Sequence, residues 1–337
     1  MTRVLVTGGA GFIGSHLVER LIARGDSVAV LDDLSTGRRE NLTTVTNSLL
    51  FRLVEGSVLD ESLVDGLVSQ ADVVYHLAAA VGVAHVLRHP LASLETNIRG
   101  TENVLRACGR LQRRVLIAST SEVYGKNDKD ALGEDDDRTL GSARLSRWFY
   151  AAAKSIDEAF ALAYFADRGL PVIVVRLFNT VGARQRGHYG MVVPRFVRWA
   201  LDSEPLRVYG DGQQTRCFTN VHDVVRALLV LMDTPAAAGE IFNIGQPGEI
   251  RILDLARRVI ELTESRSDIK LVPYDDEEAY GERAAGYEDM RRRVPDISKL
   301  EAFTGFRPSI GLDQTLREVI DYFLSEGAPA TPAGSGR

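Results

Sequence analysis

A chain of 337 residues that is 45% hydrophobic and 26% charged can bury a large core, and its length suggests about two domains. A net charge of −6, with no basic run longer than Arg291-Arg292-Arg293, excludes a surface built to neutralise nucleic-acid phosphates. An apolar strand starting at residue 3 leaves no room for a signal peptide and no apolar stretch approaches a membrane span, so the expectation is a cytoplasmic protein with no membrane or nucleic-acid partner. Cys108 and Cys217 lie far apart without metal-ligand company and read as core thiols of a reducing compartment; no metal site is expected.

Val4, Leu5 and Val6 open the chain as a β-branched and apolar run, the pattern of a buried strand. Gly8, Gly11 and Gly14 punctuate a turn, and from Phe12 apolar residues recur at Ile13, Leu17, Leu21 and Ile22 with helical spacing. Strand, glycine turn and helix in this order form a pyrophosphate cradle. Backbone approaches a phosphate closely only where side chains are absent, and the helix N-terminus offers free N–H groups and a positive dipole end. The same glycines suit a turn in another α/β protein, but the flanking strand and helix supply the context a dinucleotide site needs. Gly25-Asp26 closes the helix, and Ser27–Leu31 is a second strand ending in Asp32 and Asp33. An acid about 20 residues past the glycines accepts hydrogen bonds from ribose hydroxyls and repels a 2′-phosphate, which predicts NAD rather than NADP.

The alternation continues with strands at 51–55, 72–77, 114–118 and 171–177 and helices near 61–68, 90–108 and 147–168. This rhythm means a parallel sheet covered by helices on both faces, with ligands outside the carboxyl ends of the strands. That rule gathers Gly8–Gly14, Asp32-Asp33, Gly56-Ser57, Leu77-Ala78-Ala79, Ser119–Glu122 and Phe178-Asn179 on one rim. After about residue 180 the pattern loosens into short strands (206–209, 216–221, 240–244, 270–272) between helices near 193–201, 223–232, 252–262 and 312–324. The expected organisation is an α/β fold: a dinucleotide-binding domain over 1–178, a smaller, partly interleaved substrate-binding region over 179–326, and a disordered tail over 327–337. Asp135-Asp136-Asp137 reads as a solvated loop.

Tyr150 and Lys154 stand four apart in a predicted helix, which puts both on one face. A phenol is a poor base near its ordinary pKa of about 10, but a nearby ammonium and a positive nicotinamide ring favour the phenolate. The pair alone also fits a core aromatic and a surface lysine; downstream of a dinucleotide site it points to proton transfer. Thr120 follows the 114–118 strand on the same rim, where its hydroxyl can hold a substrate hydroxyl toward Tyr150. Glu122 faces the same side if the chain stays extended there, and reads either as a base in the site or as an exposed loop acid.

Thr7-Gly-Gly-Ala-Gly-Phe-Ile-Gly14, Asp32-Asp-Leu-Ser-Thr-Gly37, His76-Leu-Ala-Ala79, Asn97 within 95–101, Ser119-Thr-Ser-Glu-Val-Tyr-Gly125 and Tyr150-Ala-Ala-Ala-Lys154 follow one another in order. Arg176-Leu-Phe-Asn179, Val208-Tyr-Gly-Asp-Gly212, Gln214-Thr-Arg216 and Pro295-Asp-Ile-Ser-Lys299 continue the series. Over residues 1 to about 325 the chain resembles the extended short-chain dehydrogenase/reductase family, the NAD-dependent nucleotide-sugar epimerases, dehydratases and decarboxylases. The resemblance implies a Rossmann-type domain in which Gly8, Gly11, Phe12, Ile13, Gly14, Asp32, Asp33, Leu34, Ser35, Thr36, Gly37, Ser57, Val58, Leu77, Ala78, Ala79, Asn97, Ser119, Tyr150 and Lys154 hold NAD. It implies Thr120, Tyr150 and Lys154 as the catalytic set, with Glu122 a further candidate. For a UDP-sugar it implies contacts from Thr120, Ser121, Glu122, Tyr150, Asn179, Arg186, Val193, Val208, Tyr209, Arg216 and Arg292. The family's dimer, a four-helix interface, would use the helices near 90–108 and 147–168. Ser57 stands where the family usually has an aspartate reading the adenine amino group, which implies weaker adenine recognition rather than loss of NAD.

These enzymes share a first step, oxidation of the sugar at carbon 4, and differ in the fate of the ketone. An epimerase turns it over, a 4,6-dehydratase needs an added acid and base, and a glucuronate decarboxylase uses the ketone as an electron sink. Ser121 replaces the acid of the Asp-Glu pair in deoxythymidine-type dehydratases, which counts against that reaction. Thr120-Ser121-Glu122 resembles the UDP-glucuronate decarboxylases and the GDP-mannose dehydratases, the latter set low because they use NADP and a different glycine loop. Arg184, Arg186 and His188 form a possible cation cluster for a hexuronate carboxylate, or structural and solvated charges; the loop 274–290 borders the site without an assigned role. The first expectation is an NAD-dependent 4-epimerase of UDP-glucose or UDP-glucuronate working as a homodimer. UDP-glucuronate decarboxylation is the alternative, and a non-catalytic NAD sensor fits poorly with an intact Thr120, Tyr150 and Lys154.

Overall fold

Val4 and Val6 of the first strand face one layer of core and Leu5 faces the other, so a single strand is buried from both sides. The chain is described by a computed structural model covering residues 1–81, 89–187, 191–273 and 290–327. Its first half contains strands β1 (Arg3–Thr7), β2 (Ser27–Asp32), β3 (Phe51–Glu55), β4 (Val73–His76), β5 (Arg114–Thr120) and β6 (Val172–Leu177). Between them run helices α1 (Phe12–Ala23), α2 (Glu61–Gln70), α3 (Pro90–Leu111) and α4 (Phe149–Arg168). The second half adds short strands β7 (Thr180–Val181), β8 (Leu206–Tyr209), β9 (Thr215–Cys217), β10 (Thr219–Asn220), β11 (Ile241–Ile244), β12 (Glu249–Arg251) and β13 (Ile269–Val272). Its helices are α5 (Val192–Leu201), α6 (Val221–Met232), α7 (Ile252–Thr263), α8 (Ser298–Thr304) and α9 (Leu312–Gly327).

Seven parallel strands form the central sheet in the order β11-β6-β5-β4-β1-β2-β3. The order reverses between β1 and β4, and a crevice for ligands opens at the carboxyl ends there. One face is covered by α1 and α6, through Leu17, Leu21, Leu228 and Leu231; the other by α2, α3 and α4, through Val64, Leu105 and Ala161. A separate apolar cluster joins α5, α7, α9 and β8 around Phe196, Val208, Leu255 and Leu316.

The second half therefore gives the sheet its edge strand β11, which pairs with β6, and one covering helix, α6. The stretch read as one strand over 216–221 is two. β9 pairs antiparallel with β12 and β10 pairs parallel with β7, because the backbone changes partner at Phe218. The expected tail, beyond residue 327, lies outside the described residues.

Candidate active site

The glycine turn between β1 and α1 is shaped by what would otherwise collide. Gly8 has φ +71, and a Cβ on it would stand 2.7 Å from the Ala78 amide nitrogen; one on Gly14 would stand 2.2 Å from the Gly8 carbonyl oxygen. Only bare backbone brings the β1 end, the β4 end and the first turn of α1 this close together. At the end of β2 the Asp32 carboxylate accepts from the amides of Ala10 and Leu34, each at 2.9 Å, and burial pushes its pKa up. A Cβ on Gly37 would meet that carboxylate at 2.7 Å, so Gly37 keeps Asp32 in place, as Leu34 does through its amide at φ +58. Neither lines the cavity itself.

That cavity has a volume of about 710 Å³ and runs from this turn across the strand ends into the second half of the chain. Gly8, Gly11, Phe12, Ile13, Gly14, Asp32, Asp33, Ser35, Thr36, Val58, Leu77, Ala78 and Ala79 line its first part. A glycine cradle that any Cβ would fill, with acids at the next strand end, fits a dinucleotide. Ser57 and Asn97 serve the fold instead. The Ser57 hydroxyl accepts from the Leu59 amide at 3.2 Å, and the Asn97 side chain bonds the Ala80 backbone through both its oxygen (2.7 Å) and its nitrogen (3.2 Å).

Ser119, Thr120, Ser121, Glu122, Tyr150 and Lys154 line the middle of the cavity. The chain does not stay extended after Thr120: Ser121–Tyr124 is a 3-10 turn, and the Thr120 hydroxyl accepts from the Glu122 amide at 3.2 Å. The turn aims Glu122 into the cavity wall, so it is not an exposed loop acid. Its carboxylate is gripped by the guanidiniums of Arg147 and Arg293. Those two charges outweigh the burial penalty and hold its pKa down at about 2. Burial, with the charges of Glu122 and Asp157, pushes the Tyr150 phenol up. The Lys154 ammonium donates to Asp157 at 3.0 Å, both side chains being almost wholly buried.

In the second half of the chain Asn179, Val193, Tyr209, Arg216 and Arg186 line the cavity. The Asn179 side chain donates to the Cys217 carbonyl at 2.9 Å, tying its loop to β9. Two residues expected at the sugar nucleotide do not line the cavity. Val208 is fully buried in the second apolar cluster because alternate residues of β8 face opposite ways, leaving its neighbour Tyr209 to the cavity. Arg292 points outward to Glu249 and Asp130, and Arg293 is the one that enters. Arg184 lines the cavity yet pairs with Glu19 of α1 and bonds Ser15 at 3.1 Å, which fits the structural alternative read for that arginine. His188 and residues 274–289 lie outside the described residues.

Sequence reasoning missed Arg147 and Arg293. Arg147 precedes Tyr150 by three residues, a spacing that shares a helical face and would have flagged it. Arg293 carries no local signal, since nothing in the run 291–293 says which arginine turns inward. Among the described residues no cluster of metal-ligating side chains occurs, and no helix is long and apolar enough to cross a membrane.

The family model described as the NAD dependent epimerase/dehydratase family matches residues 4–245. The chain is 43% identical to a UDP-N-acetyl-alpha-D-glucosaminuronate decarboxylase of Bacillus cytotoxicus, over 95% of this chain and 97% of that one. It is 36% identical to UDP-glucuronic acid decarboxylase 1 of Danio rerio, over 96% of this chain and 73% of the relative. Among solved structures it resembles the UDP-glucuronic acid 4-epimerase of Bacillus cereus, determined with UDP-glucuronic acid and NAD, at 27% identity and TM-score 0.85, covering 96% and 99%.

Proposed function

Because the chain belongs to the NAD dependent epimerase/dehydratase family, we propose that it is a decarboxylase of a UDP-hexuronate, either UDP-glucuronate or its 2-acetamido analogue. The observation that carries this reading is the Arg147–Glu122–Arg293 clamp on the cavity wall beside Tyr150. An enzyme acting on a neutral UDP-hexose has no use for two cations and an ionised acid beside the sugar, whereas a UDP-hexuronate brings a carboxylate there. Loss of that carboxylate, rather than turnover of the ketone alone, is the reading favoured by the decarboxylase relatives, which reverses the order of the two readings drawn from the sequence.

In the first step the Tyr150 oxygen takes the proton of the sugar 4-hydroxyl while the Thr120 hydroxyl holds that group in place. NAD held on the glycine turn would supply a two-electron oxidant for carbon 4 and, as its reduced form, the reductant for the ketone left once carbon dioxide has departed. The acid on carbon 5 is then β to a ketone: its carbon–carbon bond breaks, the electron pair moves onto the carbon-4 oxygen, and carbon 5 later takes a proton. Glu122 tunes this step by occupying the arginines. A carboxylate fully salt-bridged to two free guanidiniums would be stabilised in the ground state and slow to leave, whereas arginines already sharing a charge orient it without holding it back.

The test is incubation of the purified protein with UDP-glucuronate and with UDP-N-acetylglucosaminuronate, followed by mass measurement of the products. Loss of carbon dioxide supports the proposal. A new stereoisomer of unchanged mass assigns the chain to the epimerases instead.

A further inference from the structure

A line of buried polar side chains runs from the glycine turn toward α3. The Thr7 hydroxyl, at the end of β1, accepts from the Ala78 amide at 3.3 Å and lies 2.7 Å from His76 Nδ1. The other nitrogen of His76 lies 3.1 Å from the Thr101 hydroxyl on α3. Asp157, whose pKa Thr101 helps to lower against the effect of burial, accepts from the Lys154 ammonium at 3.0 Å, while its other carboxylate oxygen is buried without a hydrogen-bond partner. Burial lowers the His76 pKa to about 3, so this member of the column is neutral. These bonds tie the glycine turn, through Thr7 and Ala78, to Thr101 on α3, and the Asp157–Lys154 pair lies one helical turn from Tyr150 on α4.

We propose that Asp157 is a positioning residue: backed by the Thr101–His76–Thr7 column, it fixes the Lys154 ammonium and sets how readily Tyr150 gives up its proton. The inference rests on Tyr150 being the base of the reaction above. Asp157 pairs with Lys154, and after burial and Glu122 its charge adds to what pushes the Tyr150 phenol up, so the base is held back by a group that does not line the cavity. The other charges facing this pocket are accounted for. Glu122 is paired with Arg147 and Arg293 beyond the end of β5. Next to Asp157 on α4, Glu158 is taken by Arg176 of β6 at 2.8 Å, by Arg138 at 3.6 Å and by the Ser119 hydroxyl. Asp157 is therefore the acidic group whose removal changes the balance around Lys154 without opening the clamp.

The experiment compares the pH dependence of kcat/KM for wild-type holoenzyme and Asp157→Asn, using whichever UDP-hexuronate the wild type converts. The acidic limb of the variant is expected to lie about one pH unit below that of the wild type, as removal of a neighbouring negative charge requires. Asp157→Ser, read the same way, decides the matter should the asparagine variant fail to fold. A limb at the same or a higher pH, with kcat reduced, overturns the proposal and leaves Asp157 a structural partner. Ultraviolet titration of Asp157→Asn against Asp157→Asn/Tyr150→Phe, beside wild type against Tyr150→Phe, follows the phenol without turnover. If the wild type converts neither sugar, the substrate reading fails while this titration still decides for or against Asp157.

Discussion

Glu122 shows how a single side chain depends on where two others come from. Two buried guanidiniums are tolerable here because the Glu122 carboxylate between them compensates their charge; removing that charge leaves both arginines uncompensated. Glu122→Gln is therefore expected to cost about 3–5 kcal/mol of stability, read as a lower urea midpoint, and to reduce turnover. A variant as stable as the wild type would show that the arginines find solvent without it. Both candidate roles read for Glu122 from the sequence assumed a lone acid, because a partner 171 residues away leaves no trace in local spacing. Tyr150 and Lys154, by contrast, were legible from spacing alone, while the Asp157 contact that modifies them was not read, although it lies three residues on in the same helix.

At the level of elements, the strands and helices of the first half stood out because a sheet buried on both faces writes continuous apolar runs and its covering helices write 3.6-residue periodicity. The turn after β5 was misjudged for a local reason. The Thr120 hydroxyl caps the following 3-10 turn, a side-chain bond that overrides the extended pattern continuing from the strand. The glycine turn was legible in full, since its spacing is the constraint itself. Gly14→Ala is expected to weaken NAD binding at least tenfold in calorimetric titration, because the added carbon meets the Gly8 carbonyl at 2.2 Å and the turn must open to admit it. Unchanged affinity would mean that the cofactor does not rest on this turn.

Across the whole molecule, acid is the expected weakness. His76 and His16 are buried and held neutral, with pKa values lowered to about 3 and about 4, chiefly by desolvation. Each takes up a proton near pH 6.5 only when the chain unfolds, so its stabilisation is complete above that pH and is lost as pH falls toward the folded value. At pH 5.5 each histidine is expected to cost about 1.4 kcal/mol relative to neutral pH, and His16→Asn to remove part of that sensitivity in urea melts at the two pH values. Melts that superimpose from pH 7.5 to 5.5 would contradict this. Glu122 adds a loss only below about pH 4.5, since its folded pKa is about 2. The interleaving of the two halves was half visible: the sequence pattern showed a strand near 240–244, but only its pairing with β6 makes it part of the first sheet.

That pairing, with the clamp, places the parts of the site on a timetable during synthesis. Strands β1 to β6 and the glycine turn leave the ribosome first, and the sheet gains its last strand only once Ile241–Ile244 have been made. Arg293 comes later still, so for that interval Glu122 has Arg147 beside it but not its second guanidinium. A growing chain can thus shape a cradle for a dinucleotide well before the clamp beside Tyr150 has all its members.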